Sequence, residues 1–376
     1  MYKQIIGGRI FTPEGWIDGG SVLVEGKKIK AILNTDLPIE GASTIDARGA
    51  YIIPGGIEMH VHGAAGADFM DGTVEAFRTA AGYHLQQGTT TIFPTLSTSS
   101  YETIMKGIEC TEVLMPDEES SVEGLHLEGP YFSVKMAGAQ LPELIRPARP
   151  EEYTKIMERG QGIIRRWDAA PEIEGTMEFG RYVRERGVVT AIAHTEAGEK
   201  EIKEAWENGY NAMKVSHKKG VYKMPGAVET ILDMPDFDIE VICDGIHVPP
   251  LMVHLAYATK GRERMALTTD ALLYTGTPPD FKDPTGHAIV EDGVCKLSDR
   301  SALAGSIATM DLLIRTAVKK ARIPLIDAVY MASTTPARIM GIQDTKGALE
   351  AGKDADIHDS PPYVVCSRNA AIAARS

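Results

Sequence analysis

The chain has 376 residues, of which 43% are hydrophobic and 24% charged, values typical of a globular protein with a large core. Its net charge of −13 disfavours a nucleic-acid binder, because affinity for a phosphate backbone comes mainly from clustered Lys and Arg. The N-terminus shows no signal-peptide pattern, and no apolar run of about 18 residues predicts a membrane span. The four cysteines are widely spaced without a CxxC motif, so we expect a reducing, cytoplasmic setting rather than a disulfide framework.

The first 50 residues predict short strands separated by turns, with the best candidates at residues 5–10, 21–25 and 28–33. From Tyr51 onward, apolar strand-like runs alternate with helix-like stretches. The eight runs are residues 51–63, 89–97, 122–130, 163–172, 188–196, 210–217, 237–248 and 264–271. Strands that alternate with helices predict a parallel sheet, and eight such units fit the size of a (β/α)8 barrel.

The predicted fold is therefore α/β, a TIM-like (β/α)8 barrel with a small β-sandwich domain formed by both termini. We assign residues 54–339 to the barrel. The small domain combines residues 1–53 with residues 340–376, because the segment GALEAGK near residue 350 looks like a turn that leads into a strand.

Nearly every predicted strand ends in His, Glu or Asp, and the active sites of such barrels lie at the C-terminal ends of the strands. His60 and His62 are two residues apart on the first run, so both imidazoles face one side of a strand, as metal ligands would. Glu128 ends the third run before Gly-Pro. Its carboxylate either binds metal, where its two oxygens can bridge two ions, or serves as a helix cap or salt-bridge residue. His126, on the same face, is interpreted as a core histidine.

Three further strand ends carry candidate residues. His194 and His217 end consecutive runs, which favours metal ligands over two core histidines. Asp270 ends the last run, where a general acid/base is favoured over a helix N-cap. Asp244 and His247 lie at the end of the seventh run and suit substrate hydrogen bonding, with a tight turn beside a surface histidine as the alternative.

Basic residues follow His217 directly. Lys218, Lys219 and Lys223 either bind an anionic substrate or belong to a solvated loop. A local basic pocket of this kind is needed if the substrate is an anion, because the overall field of the protein is negative.

This succession of His-x-His, Glu, His, His and Asp resembles the amidohydrolase superfamily, and the finer motifs resemble its N-acetylglucosamine-6-phosphate deacetylase family. The resemblance runs from about residue 5 to residue 357. Its motifs are PGGIEMHVHG at 54–63, HLEGPYF at 126–132, AHT at 193–195, DGIHV at 244–248, TTDA at 268–271 and LAGS at 303–306. HLEGP and DGIHV are the most specific of these.

The resemblance implies a metal-dependent hydrolase with one or two divalent ions, zinc first and iron, manganese or cobalt as alternatives. Glu128, His194 and His217 would hold one ion, and His60 with His62 would allow a second. Asp270 would take the proton from the attacking water and pass it to the leaving amine. The residues implied to bind the phosphosugar substrate are Gln140, His247, Lys218, Lys219, Ala304, Gly305 and Ser306. The family also implies a homodimer in which a basic residue of the neighbour reaches the phosphate.

The sequence departs from the family pattern at three places. Gln140 stands where the family usually has His, although a neutral amide can still hydrogen-bond a sugar hydroxyl. The block around His217 is shortened, because the histidine runs directly into Lys218 and Lys219. The tail after Ile357 contains Pro361 and Pro362, which cannot lie in a central strand.

Two alternatives stay open beside the deacetylase. One is another amidohydrolase that acts on a cyclic amide or a related acetylated amino sugar. Cyclic-amide enzymes of this superfamily often bridge their metals with a modified lysine, so Glu128 in that position favours the deacetylase. The other is a homologue whose activity is impaired by the shortened block after His217.

Overall fold

The computed structural model describes residues 2–213, 226–278, 281, 282, 286 and 288–356. Four residues singled out from the sequence, His217, Lys218, Lys219 and Lys223, lie outside these ranges, as does the tail from residue 357. Among the described residues, no helix is both long enough and apolar enough to cross a membrane.

The N-terminal part of the chain forms two small sheets. Its strands are β1 (Tyr2–Ile6), β2 (Arg9–Thr12), β3 (Gly15–Asp18), β4 (Ser21–Glu25), β5 (Lys28–Leu33), β6 (Ala42–Asp46) and β7 (Tyr51–Ile52). One sheet has the order β5-β4-β1-β6 and the other β3-β2-β7. The prediction of a single strand at residues 5–10 is wrong. The chain turns at Gly7, which has φ 68°, and a side chain at Gly8 would lie 2.8 Å from the Ala50 carbonyl.

The C-terminal part of the described chain returns to these sheets. The Ile29 amide donates to the Lys353 carbonyl at 2.9 Å, and the Ala355 amide donates to the Lys27 carbonyl at 2.8 Å. Ala355 also joins the apolar cluster under β1, β4 and β5. Both ends of the described chain therefore contribute to one small β region.

The centre of the molecule is an eight-stranded parallel sheet that follows chain order. Its strands are β8 (Gly56–Val61), β11 (Thr89–Leu96), β12 (Leu125–Glu128), β13 (Ile164–Ala169), β14 (Val189–Ile192), β15 (Ala212–Met213), β16 (Asp238–Ile242) and β17 (Met265–Thr268). Two short strands, β9 (Gly63–Ala64) and β10 (Ala67–Asp68), pair after β8. Each of the eight apolar runs found in the sequence contains one strand of the parallel sheet. All residues of β8, β12 and β16 are buried, as expected for strands covered on both faces.

The parallel sheet is curled, so that its first and last strands come together. Just beyond β17, the Asp270 amide donates to the His60 carbonyl at 3.0 Å. The His62 amide in turn donates to the Ala271 carbonyl at 2.8 Å. The C-terminal ends of β8 and β17 are therefore neighbours, although their sequences are separated by about two hundred residues of chain.

Helices connect the strands and cover the outside of the sheet. They are α1 (Val74–Gln86), α2 (Tyr101–Leu114), α3 (Pro150–Arg159), α4 (Thr176–Arg184), α5 (Glu199–Glu207), α6 (Ala227–Asp233), α7 (Pro250–Lys260), α8 (Met310–Lys319), α9 (Leu325–Ala332) and α10 (Thr334–Ile339). The Thr73 and Ser100 side chains cap α1 and α2 by accepting from backbone amides of the first turn. A hairpin of β18 (Ala288–Glu291) and β19 (Val294–Leu297) lies between β17 and α8. Three 3-10 turns occupy Phe69–Asp71, Val134–Met136 and Pro142–Leu144.

Candidate metal centre

Two histidines at the end of β8 face the same side of the sheet. The Nε2 atoms of His60 and His62 are 3.2 Å apart, and both side chains are buried. The other ring nitrogen of His62, Nδ1, is 3.1 Å from the Ser97 hydroxyl at the end of β11. A ligand histidine is commonly oriented by such a contact to its second nitrogen, and Ser97 is a residue that the sequence analysis did not single out.

Glu128 brings a carboxylate between these histidines and a third one. Its Oε1 atom lies 3.4 Å from Nε2 of His60 and 3.0 Å from Nε2 of His194. Its Oε2 atom lies 3.3 Å from Nε2 of His62. Only 2% of the side chain is exposed, so the negative charge needs a nearby positive partner.

His194 follows β14 and contacts the cluster through Glu128. Its Nδ1 atom is 2.9 Å from the Met136 carbonyl oxygen, which can only accept a hydrogen bond, so Nδ1 carries a proton. In the neutral ring, the lone pair of Nε2 then points at Oε1 of Glu128, 3.0 Å away. Two lone pairs at this distance repel each other unless a proton or a metal ion lies between them. The donor set therefore fits a divalent cation.

Asp270 completes the cluster from the end of β17. Its Oδ1 atom is 3.4 Å from Nε2 of His60 and 3.3 Å from Nε2 of His62. Burial of the His62 ring disfavours its charge, but hydrogen bonds with Asp270 and Glu128 outweigh that effect and raise the pKa of His62 to about 10. The pocket thus attracts positive charge strongly.

The ligand atoms of His60, His62 and Glu128 lie within 4.8 Å of one another, with His194 and Asp270 against them. Imidazole nitrogens and carboxylate oxygens are common ligands of zinc and related divalent ions. The residues present therefore fit the metal-binding role that the sequence predicted for His60, His62, Glu128 and His194, with Asp270, the predicted acid/base, beside them.

A second group of ligand type, His60, His126 and Asp168, does not fit a metal ion, although its atoms are equally close. Arg166 donates to both oxygens of Asp168, at 2.7 and 2.8 Å, and to Glu240 at 2.6 Å. Burial disfavours the charge of Asp168, yet Arg166 holds its pKa well below the ordinary value. The guanidinium already supplies the cation of this group, so we interpret it as a buried ion network.

His126 belongs to that network, and it lies fully buried between β11 and β13. Its Nδ1 atom is 3.0 Å from the Thr95 hydroxyl, and its Nε2 atom is 3.1 Å from Asp168. Burial lowers the pKa of His126 to about 3. The ring packs edge-on against His60, with centroids 4.8 Å apart, and so supports a candidate metal ligand.

Glu58 is another buried acid that the sequence analysis did not single out. It precedes His60 by two residues on β8 and therefore faces the same side. Burial raises the pKa of Glu58 to about 7, and the carboxylate accepts hydrogen bonds from the Thr268 hydroxyl at 2.6 Å and the Thr269 amide at 3.1 Å. Its position two residues before a predicted ligand, on a strand whose other residues apart from His60 are apolar, was the available signal.

Two of the predicted substrate residues lie together after β16. Nδ1 of His247 is 2.7 Å from Oδ2 of Asp244, and the other oxygen of Asp244 accepts from the amides of Ile246 and His247. Burial disfavours the charge of Asp244, but the hydrogen bond with His247 lowers its pKa. Nε2 of His247 is buried and has no hydrogen-bond partner among the described residues.

The segment Ala304, Gly305 and Ser306 packs against the backbone of Asp270. The Ser306 amide donates to the Asp270 carbonyl at 2.7 Å, and the Ser306 hydroxyl donates to the Thr269 carbonyl at 2.5 Å. Gly305 has φ 50°, and a side chain there would lie 2.8 Å from the Asp270 carbonyl. Gln140, the remaining described residue of the predicted substrate set, is buried beside Glu128.

The sequence model of the Amidohydrolase family matches residues 51–358, most of the chain. With this fold and this cluster of His and acidic residues, the chain is an amidohydrolase, a member of a metal-dependent family. It is 31% identical over 362 residues to the N-acetylglucosamine-6-phosphate deacetylase of Bacillus subtilis (strain 168), a match that covers 93% of this chain and 90% of that relative. Within the amidohydrolases, it belongs to the N-acetylglucosamine-6-phosphate deacetylase family.

Two further comparisons agree with this assignment. The N-acetylgalactosamine-6-phosphate deacetylase of Escherichia coli O157:H7 is 29% identical over 358 residues, covering 93% of this chain and 92% of that relative. The crystal structure of N-acetylglucosamine-6-phosphate deacetylase from Pasteurella multocida is similar with a TM-score of 0.88 and 27% sequence identity. That match covers 94% of each chain.

Proposed function

We propose that this protein removes the acetyl group from N-acetylglucosamine 6-phosphate by metal-dependent hydrolysis, giving glucosamine 6-phosphate and acetate. The observation that carries the proposal is the convergence of His60, His62, Glu128 and His194 with Asp270 at the C-terminal ends of the strands. The nearly full-length match to relatives named for this reaction supports the substrate.

In this proposal, His60, His62, Glu128 and His194 hold one or two divalent ions, zinc first, with His217 as a further predicted ligand. When bound, such an ion lowers the pKa of water towards neutrality and polarises the acetyl carbonyl. The surrounding residues fix the geometry. His194 keeps its Nε2 lone pair aimed at the centre, because its Nδ1 proton is donated to the Met136 carbonyl.

Asp270 carries the proton in this mechanism. Its carboxylate lies at the rim of the same cluster, 3.3 Å from His62, where it can take a proton from the attacking water. It then passes that proton to the amine nitrogen as the carbon–nitrogen bond breaks. The Ser306 amide and the His60 carbonyl hold both backbone groups of Asp270, so the side chain keeps one direction.

The substrate-binding residues are proposed as the sequence predicted them. His247 offers a buried Nε2 atom without a partner among the described residues, and the adjacent Asp244 fixes its ring. Lys218 and Lys219 are proposed to bind the phosphate. Ala304, Gly305 and Ser306 are proposed to line the site while they brace Asp270.

The barrel and domain organisation are likewise proposed as the sequence predicted them. The curled sheet is a closed (β/α)8 barrel at residues 54–339, and residues 1–53 with 340–376 form a β-sandwich domain. Hydrogen bonds between the ends of β8 and β17 support closure, and contacts of residues 352–355 with β5 support the shared domain. We further propose a cytoplasmic homodimer.

Substrate profiling tests the function against its alternatives. The zinc-supplemented protein is incubated separately with N-acetylglucosamine 6-phosphate, N-acetylgalactosamine 6-phosphate and dihydroorotate, and released acetate or ring opening is measured. We expect the highest kcat/KM for the glucosamine substrate. Preference for the galactosamine epimer would move the assignment towards the 29% identical Escherichia coli relative. Turnover of dihydroorotate alone would favour a cyclic amidase, and no turnover by folded, metal-loaded protein would favour an impaired homologue or a different amide substrate.

A further inference from the structure

Gln140 makes two hydrogen bonds that lock its amide in one orientation. Its Oε1 atom accepts from the Thr98 backbone amide at 2.7 Å, and its Nε2 atom donates to Oε2 of Glu128 at 2.7 Å. The backbone N–H can only donate and an ionised carboxylate can only accept, so the two ends of the amide cannot be exchanged. The side chain is buried, with 7% of the residue exposed.

The loop that carries Gln140 is itself fixed to the candidate metal centre. The backbone N–H of Gln140 donates to the Ala137 carbonyl at 2.9 Å, and the backbone N–H of Ser133 donates to the His194 carbonyl at 3.0 Å. The Met136 carbonyl accepts from Nδ1 of His194 at 2.9 Å. One loop therefore orients His194 through its backbone and Glu128 through the Gln140 side chain.

The contact with Gln140 also determines which oxygen of the Glu128 carboxylate faces which histidine. Oε2 accepts the hydrogen bond from Gln140 and lies near His62, while Oε1 lies near His194 and His60. Without the Gln140 donor, the carboxylate could rotate about its last bond and change both sets of distances. Charge-assisted hydrogen bonds of this length are among the stronger ones in proteins.

We propose that Gln140 is a positioning residue that holds Glu128 in the orientation needed to bind the metal ion. This inference rests on the proposed function, because it assumes that Glu128 is a metal ligand. It differs from the role expected from the sequence, in which the amide contacts a sugar hydroxyl. A positioning residue changes metal affinity in the absence of substrate, whereas a residue that contacts only the sugar does not.

The test replaces Gln140 with methionine, which has a similar length but neither the donor nor the acceptor. Zinc affinity of the chelator-stripped protein is measured by competition with a chromogenic chelator, without substrate. Because residues that orient metal ligands typically contribute 10–100-fold to affinity, we expect the zinc Kd of Gln140→Met to rise by about that factor. At saturating zinc, we expect kcat to fall with little change in KM, and the visible spectrum of the cobalt-loaded protein to change.

Gln86→Met is the matched control, since Gln86 is an exposed residue of α1 and the chemical change is the same. Its zinc Kd, kcat and cobalt spectrum should equal those of the wild type. If Gln140→Met does not fold, Gln140→Asn keeps a buried amide that is one methylene too short to reach both partners, and the same rise in Kd is expected. An unchanged zinc Kd in a folded variant would overturn the positioning role. Failure of the wild type to bind zinc would instead overturn the proposed function.

Discussion

Two residues of the proposed active site hold a backbone conformation that is uncommon for residues with side chains. His194 has φ 46° and Asp270 has φ 49°, both in the left-handed region. Such conformations cost about 1–3 kcal/mol each and persist only where the surroundings hold them. The Asp270 amide donates to the His60 carbonyl, and the Asp270 carbonyl accepts from the Ser306 amide. This backbone conformation directs the two side chains towards the cluster at the end of the sheet.

Replacement of Asp270 by asparagine tests its role as the proton carrier. Asparagine has the same shape and tolerates a left-handed backbone, so the variant should fold. Because general acid–base catalysis typically contributes 10²–10⁴-fold, we expect kcat for acetate release to fall by about that factor. Steady-state kinetics at saturating zinc and substrate measure the change.

Asp292→Asn is the matched control for this experiment. Asp292 also has a left-handed backbone, with φ 56°, but it is exposed in the turn between β18 and β19. We expect wild-type kcat from this variant. An Asp270→Asn protein that keeps wild-type kcat would show that another group moves the proton.

At the scale of strands and helices, the ends of strands were predictable from the sequence but the pairs inside the sheet were not. His60, Glu128, His194 and Asp270 each lie near the C-terminal end of a predicted apolar run, so that a polar residue marks each of these strand ends. The contact of Arg166 with Glu240 joins β13 to β16, across 74 residues of chain. A single sequence indicates which residues are buried, but it does not indicate which of them meet once the sheet has curled.

Removal of the Arg166 guanidinium tests whether this buried network supports the curled sheet. The side chain is 1% exposed, and its loss leaves the carboxylates of Asp168 and Glu240 without their cation. Breaking a buried ion pair in this way typically destabilises a protein by 3–5 kcal/mol. We expect Arg166→Met to lower the free energy of unfolding by about 3–5 kcal/mol in urea denaturation.

A surface pair provides the comparison. Arg149 and Glu174 form an ion pair with side chains 51% and 68% exposed. Exposed pairs contribute about 0–1 kcal/mol, so Arg149→Met should change the free energy of unfolding by less than about 1 kcal/mol. Equal effects of the two substitutions would contradict the importance assigned to the buried network.

The packing of α1 against β9 predicts a specific dependence of the free energy of unfolding on pH. His84 of α1 is fully buried and donates from Nε2 to the Gly63 carbonyl at 3.1 Å, while its Nδ1 atom has no partner among the described residues. Burial lowers the pKa of His84 from 6.5 to about 4. Below pH 6.5 the unfolded chain takes up a proton that the folded chain refuses until about pH 4, so stability falls as the pH falls through this range.

We expect the metal-free wild type to lose about 2 kcal/mol more stability between pH 7 and pH 5 than His84→Gln, which keeps a donor for Gly63 but cannot be protonated. Urea denaturation in the presence of a chelator, at both pH values, measures the difference. The same loss in both proteins would show that His84 is not the group responsible.

At the scale of the whole molecule, the net charge affects substrate binding, and the pocket is assembled from distant parts of the chain. The net charge of −13 opposes the approach of a phosphorylated sugar, so binding depends on local positive groups. The pocket that attracts positive charge is formed by His62, Glu128 and Asp270, which come from the ends of three different strands, β8, β12 and β17. The family and the order of strands followed from sequence motifs, whereas the roles of Gln140 and Ser97 required the three-dimensional contacts.

The central claim is that the cluster of His60, His62, Glu128 and His194 binds the metal on which acetate release depends. The most direct measurement is a titration of zinc into chelator-stripped protein, with acetate release from N-acetylglucosamine 6-phosphate followed at each addition. We predict that the stripped protein is inactive and that the rate rises to a plateau at one or two equivalents of zinc per chain. Full acetate release by protein that retains no measurable metal would contradict the claim.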